Sequence, residues 1–164
     1  MKYDFVNELG YLALATRLKR ISEAMVHSGR QMYKTLGMEI EPNWFLIFKL
    51  LQKYDQLSVT EMAKRLHFSH PSVITLVTKM KDKGYLDLRK DPKDSRRQLC
   101  TLTDRALEEM PDFEKVWEAG TNAVGEMFTD DTFLNQLEML EIKFSQSDFR
   151  ERTLSELKHE QHIA

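Results

Sequence analysis

Between Leu57 and Thr103 the chain is punctuated by caps, two prolines and a glycine so closely spaced that only short elements fit. In LSVTEMAKRLHF, Thr60 is placed as a helix N-cap, with Met62, Ala63 and Leu66 on one face. FSHPSV then turns the chain. Ser69 is the expected cap of the next helix, and Pro71 falls in its first turn, where a missing N–H costs nothing. That helix is expected over 70–83. Gly84 ends it as a left-handed C-cap, with Lys79, Lys81 and Lys83 near the negative end of the helix dipole. Two short strands, roughly 85–90 and 97–102, then flank the turn DPKDS.

The order helix, four-residue turn, helix, two-stranded ribbon is the layout of a winged helix-turn-helix. The rest of the chain is helical. Leu14, Leu18, Ile21 and Met25 form a stripe at helical period, and Gly37 is a stop signal. Pro42 suits the first turn of a second helix carrying Trp44, Phe45, Ile47, Phe48, Leu50 and Leu51, apolar nearly all round and so expected to be buried. Thr103 reads as the cap of a helix bent at Pro111. Asp130 and Asp131 start a last helix with Phe133, Leu134, Leu137, Leu140 and Phe144 on it. The expected fold is mainly α, about six helices plus a two-stranded wing. Residues 1–164 read as one unit, with a DNA-binding lobe at 43–103 and dimerisation helices at 5–37 and 104–160.

Charge sharpens this reading. The 164 residues carry a net charge of −2. Residues 58–103 hold ten basic and five acidic side chains, whereas residues 104–164 hold six and fifteen. A basic excess concentrated in the middle third is the footprint of a polyanion-binding surface. Apolar residues at 41% and charged residues at 30% fit a globular domain. No apolar run approaches the roughly 18 residues of a membrane span, and the N-terminus lacks a signal-peptide core. No membrane association and a cytoplasmic location are expected.

The second helix of the pair can be read by face. Val73, Leu76, Val77 and Met80 point to the core at about 100° per residue. The opposite face carries Pro71, Thr75 and Thr78, flanked by Ser72, Lys79 and Asp82, with His70 and Ile74 at the margins. An α-helix fits the DNA major groove, and hydroxyls and amines there meet base edges or phosphates. Ser72 and Thr75 are the expected base readers, with Thr78 or His70 beside them, and Lys79 is expected on phosphate. At the ribbon tip, Asp94 and Arg96 share a face on extended backbone, so the carboxylate can orient the guanidinium for the narrow minor groove. Lys93 and Arg97 then serve as phosphate contacts or as the alternate inserted group.

LSVTEMAKRLHFSHPSVITLVTKMKDKGYLDLRKDPKDSRRQLCTLT resembles the winged helix-turn-helix of the MarR (multiple antibiotic resistance regulator) transcription factors. The D-x-R at Asp94 and Arg96, running into Leu102–Thr103, is similar to that family's wing signature, and KGYLDLRKDPKD to its helix-to-wing connection. RLKRISEAM with GMEIEPNWF is similar to members bearing a further acetyltransferase domain, which a chain of this length is expected to lack. The sequence departs from the family pattern at Ile74, Thr75 and Ala106. The resemblance implies an obligate homodimer on a palindromic site and a small-molecule pocket between the dimer helices and the DNA-binding lobe. The pocket residues and the effector are not legible. The expected activity is that of a sequence-specific regulator of transcription, a repressor rather than an activator.

Self-association has its own basis, since Phe133, Leu137, Leu140 and Phe144 must bury somewhere and symmetric pairing is the commonest solution. No catalytic set is present, neither G-x-S-x-G, Walker A nor HExxH, so no enzymatic activity and no cofactor are expected. His67 with His70, and Glu156 with His159 and His162, have ligand-compatible spacing, but a metal site is not expected. The lone Cys100 is expected to pack rather than to sense oxidant. The competing readings are a metal- or redox-responsive regulator and a winged-helix adaptor for another protein.

Overall fold

The computed structural model describes residues 4–92, 94 and 97–163, with side chains as far as His159. Two compact units divide it, Met1–Pro111 and Asp112–Ala164.

The first unit opens on a short helix α1 (Phe5–Glu8), capped by the Asp4 carboxylate, and one 3-10 turn (Gly10–Ala13). The long helix α2 (Leu14–Thr35) follows. Leu14 and Leu18 of its stripe are half-buried, while Ile21 and Met25 are exposed. Gly37 stops it at φ +69°: the Gly37 N–H donates to the Lys34 carbonyl and the Met38 N–H to the Tyr33 carbonyl, a Schellman ending. Pro42 does not open the next helix, as the sequence suggested. It lies in a turn closed by the Trp44 N–H on the Glu41 carbonyl, and α3 (Phe45–Tyr54) starts beyond it. The proline ring is used against α2, where a Cβ on Gly29 would come within 3.2 Å of it. Helix α3 buries Ile47, Phe48 and Leu51 but leaves Phe45 exposed, so one face is in the core rather than the whole helix.

The lobe then runs β1 (Leu57–Ser58), α4 (Val59–Leu66), α5 (His70–Asp82), β2 (Leu86–Lys90) and β3 (Gln98–Leu102). The sheet is antiparallel in the order β1-β3-β2, with Leu88 and Leu57 both opposite Cys100 and Lys90 opposite Gln98. The ribbon matches expectation and the third strand adds to it. Two residues long, β1 exists only through its pairing with β3, which no local pattern encodes. Helix α4 is capped by Ser58 rather than Thr60. Ser58 Oγ accepts the Glu61 N–H at 3.3 Å and the Glu61 carboxylate accepts the Ser58 N–H at 2.8 Å, a complete capping box. Ser69 and Gly84 act as read. Ser69 Oγ caps α5 through the Ser72 N–H, and Gly84 at φ +76° closes α5 in a second Schellman ending.

The lobe core centres on Tyr85, fully buried, with the rings of Phe48 at 5.6 Å and Trp44 at 6.0 Å edge-on to it. Met62, Val73, Val77 and Met80 complete it. Each such side chain contributes ~1.5–3 kcal/mol over its exposed state.

Helix α6 (Asp104–Gly125) is capped by Thr103, whose hydroxyl accepts the Ala106 N–H at 3.2 Å. Pro111 lies inside it, and the division between the two units follows directly. The second unit continues with α7 (Thr132–Gln146) and α8 (Phe149–Ile163). The described residues thus hold eight helices rather than about six. The additional ones are the single-turn α1 and α8, which opens on a reciprocal pair of bonds between Asp148 and Glu151.

Candidate nucleic-acid interface

Helices α4 and α5 are held at a fixed turn by His67, which adopts a left-handed conformation at φ 53°, and by the Phe68 N–H bonded to the Ala63 carbonyl at 3.1 Å. Val73, Leu76, Val77 and Met80 point α5 into the core as read. That fixes which face remains outside: His70, Pro71, Ser72, Thr75, Thr78 and Lys79 are all exposed. Two hydroxyls on that face are internally bonded. Thr75 Oγ1 donates to the Pro71 carbonyl at 3.0 Å, and the Ser72 and Ser69 hydroxyls share a bond of 2.7 Å. A base or phosphate that engages Ser72 or Thr75 therefore competes with a local bond. Lys79 makes no ion pair among the described residues.

At the wing, Lys93 and Arg96 lie outside the described residues, and with them the expected Asp94–Arg96 pair. Asp94 is half-buried, and its carbonyl accepts the Arg97 N–H at 2.9 Å. The Asp91 N–H donates to the Arg97 carbonyl at 3.0 Å, closing the loop. The Arg97 guanidinium turns toward the base of the wing. It lies 3.0 Å from the Glu61 carboxylate and 3.8 Å from Asp91, and donates to Ser58 Oγ at 3.2 Å. Arg97 thus ties β3 to the capping box of α4. The Ser58 hydroxyl first, then the Ser58 N–H and Arg97, draw the Glu61 carboxyl down to about 2.

Sequence reading missed a second cluster at the other end of α5. Arg105 stacks over the Tyr85 ring at 4.5 Å and donates to the Glu109 carboxylate (2.7 Å), the Lys83 carbonyl (2.8 Å) and Glu39 (3.3 Å). Lys83 also reaches Glu39 at 2.9 Å, and the Tyr85 hydroxyl donates to Glu109 at 2.9 Å. Burial first, then Glu109, raises the Tyr85 hydroxyl well above its ordinary value. The cluster ties the end of α5 to the turn after α2 and to the first turns of α6. An exposed arginine in a polar helix start carries no signal for such a role.

Between α2 and α5 lies a cavity of about 530 Å³ with Tyr33, Met38, Ile40 and Trp44 as its apolar wall. Arg30, Lys34, Lys79 and Lys83 border it against Glu39, Glu41 and Asp82. A neighbouring cavity of about 660 Å³ shares Arg30, Trp44 and Lys79 and extends to Ser72 and Thr75. Cys100 is fully buried in β3, and burial pushes its thiol up to about 11, away from the thiolate that oxidant chemistry needs. Among the described residues no three His, Cys, Asp or Glu side chains are grouped to hold a metal ion. Among them, too, no helix is long and apolar enough to cross a membrane.

Solved structures share this architecture at low identity. The chain is 18% identical to S. aureus MepR in complex with DNA, at a TM-score of 0.68 over 80% of this chain and 96% of that one. It is 20% identical to Bordetella bronchiseptica BpsR, whose DNA binding is regulated by 6-hydroxynicotinic acid, at 0.67 over 90% and 100%. It is 18% identical to a MarR protein from Peptoclostridium difficile, at 0.65 over 94% and 95%. Among curated proteins none matches the sequence significantly. The MarR family model matches residues 39–97, from the turn after α2 to the end of the loop between β2 and β3. Over residues 39–97 the winged helix-turn-helix of this chain is similar to that of the MarR family.

Proposed function

We propose that this chain is a sequence-specific, double-stranded-DNA-binding regulator of transcription that acts as a homodimer on a palindromic operator. The observation that carries the reading is the exposed polar face of α5, held between a capped α4 and the wing in the most basic third of the chain. In this reading α5 enters the major groove, where Ser72 and Thr75 read base edges and Lys79 holds phosphate. The wing tip, with Lys93, Asp94 and Arg96, enters the adjacent minor groove. Two lobes about 34 Å apart read the two half-sites. DNA complexes among the structural neighbours support the reading, as MepR illustrates. The sign we propose is repression, because occupancy of a promoter needs DNA affinity and nothing more. The place of action is then the cytoplasm.

The cavity between α2 and α5 supports modulation by a small ligand. Its wall of Tyr33 and Trp44, with Lys34 and Lys79 at the border, suits a compact organic anion. Ligand there would press on Lys79 and Lys83, two residues of the reading helix and its C-cap.

Selection of bound duplexes from a random pool, followed by fluorescence anisotropy, tests the reading. The expected result is a two-fold symmetric consensus bound at least about 10³-fold more tightly than random duplex. Equal affinity for the two would sink sequence-specific recognition and leave the adaptor reading. The buried, protonated Cys100 weighs against the redox-responsive alternative.

A further inference from the structure

The inner face of the wing changes character along its length. In β2, Leu86 and Leu88 face the core, and Lys90 continues the same face one step further out. Its cross-strand partner is Gln98, two residues before the buried Cys100 on that face of β3. An inward-facing position on a ribbon is apolar where it meets a core. Here Lys90 and Gln98 instead line an open cleft of about 340 Å³, with Thr60 of α4, His70 at the start of α5 and Arg97. The charge of Arg97 is balanced by Glu61 and Asp91, so the uncommitted charge of the cleft is that of Lys90, which makes no ion pair among the described residues.

The position of this cleft follows from groove geometry and rests on the DNA-binding reading above. A helix in the major groove and a ribbon in the adjacent minor groove straddle one sugar–phosphate strand, because that strand is the wall between the two grooves. The strand must pass between the start of α5 and the wing, and that gap is the cleft lined by His70, Lys90 and Gln98. We infer that this cleft is a backbone-phosphate site, with the Lys90 ammonium as counter-charge and the Thr60 hydroxyl, the His70 imidazole and the Gln98 amide as hydrogen-bond donors. His70 is thereby a strand contact rather than a base reader. The site carries no sequence preference, and it sets the depth to which helix and wing enter their grooves.

Arg89 supplies an internal control. It neighbours Lys90 in β2 and bears the same charge, but it lies on the opposite face of the ribbon, 3.9 Å from Asp87. Lys90→Gln and Arg89→Gln are compared with the unmodified chain by anisotropy, on the selected duplex and on random duplex, across a salt series. Lys90→Gln is expected to weaken both duplexes by the same factor. It is also expected to lower the slope of log affinity against log salt by about 0.9, so that its deficit shrinks about 3.5-fold between 50 and 200 mM salt. Arg89→Gln is expected to leave the slope unchanged. A single neutral methylphosphonate placed successively along the selected duplex should reveal one position per half-site that weakens the unmodified chain and not Lys90→Gln. If Lys90→Gln keeps the full slope, or both variants lose the same slope, the phosphate site is wrong while DNA binding stands. If the unmodified chain binds no duplex at all, the DNA-binding reading fails and the site fails with it.

Discussion

Ser58 serves three partners at once. It closes β1, caps α4 and receives Arg97 from the wing, so a single hydroxyl ties strand, helix and wing together. Ser58→Ala leaves the Glu61 N–H without its cap and should cost about 1 kcal/mol, read as a lower urea midpoint. Its partner Glu61 makes this pH-dependent. The folded carboxyl lies near 2, below its ordinary value of 4.5. Stability from Glu61 is therefore fully present above about pH 4.5 and is lost as the pH falls toward 2. Glu61→Gln should be less stable than the unmodified chain near neutral pH and approach it at about pH 2, and urea melts at the two pH values measure the difference. Equal differences at both would show that the carboxylate's charge is not what the capping box uses. The same segment shows how a local signal can be misread. S-V-T-E offers two cap residues, and only the spacing of Ser58 to Glu61 fits the reciprocal box, so Thr60 was the wrong choice for a reason the sequence contained.

The two ends of α5 are set by different kinds of information. Its start, Ser69 with Pro71, and its end at Gly84 are local signals, and both were legible. The Arg105 cluster that clasps the end was not, because Glu39, Lys83, Tyr85 and Glu109 come together only through the fold. The same holds for β1 and for the inward turn of Arg97, whose partners are distant in sequence. Gly84 separates backbone from packing at this end. A Cβ there would meet only the tip of Arg105 at 3.9 Å, so Gly84→Ala adds no clash. The left-handed φ of +76° alone should then cost about 1–2 kcal/mol. A urea midpoint unchanged in Gly84→Ala would show that the α5 ending relaxes at no cost. Tyr85→Phe tests the cluster itself: the ring stays in the core, the hydroxyl bonds to Glu109 and from Arg105 are lost, and ~1 kcal/mol should go with them.

The two units differ in what they bury for themselves. The lobe in the first unit has a closed core around Tyr85, but α7 in the second has no buried residue, and Phe133, Leu134, Ile142 and Phe144 stand exposed. On α2 and its C-cap, Ile21, Met25, Met32 and Leu36 fall within about 60° of one another around the helix axis and are exposed as well. Apolar surface on this scale is seldom left to water, and a second copy of the chain is the partner that always accompanies it at equal concentration. The proposed dimer also answers what one lobe cannot, since a palindrome gains its affinity from two half-sites engaged together. The double change Ile21→Glu and Met25→Glu places two charges on the stripe without touching the lobe core or any residue assigned to DNA. Sedimentation should then report a monomer where the unmodified chain is a dimer. Affinity for the selected palindrome should drop about 10²–10⁴-fold, the contribution of tethering the second half-site. Affinity for an isolated half-site should change little, because α4, α5 and the wing remain intact. A monomeric unmodified chain, or a variant that stays dimeric with full palindrome affinity, would place the interface elsewhere or remove it, and the spacing argument for a palindromic operator would go with it.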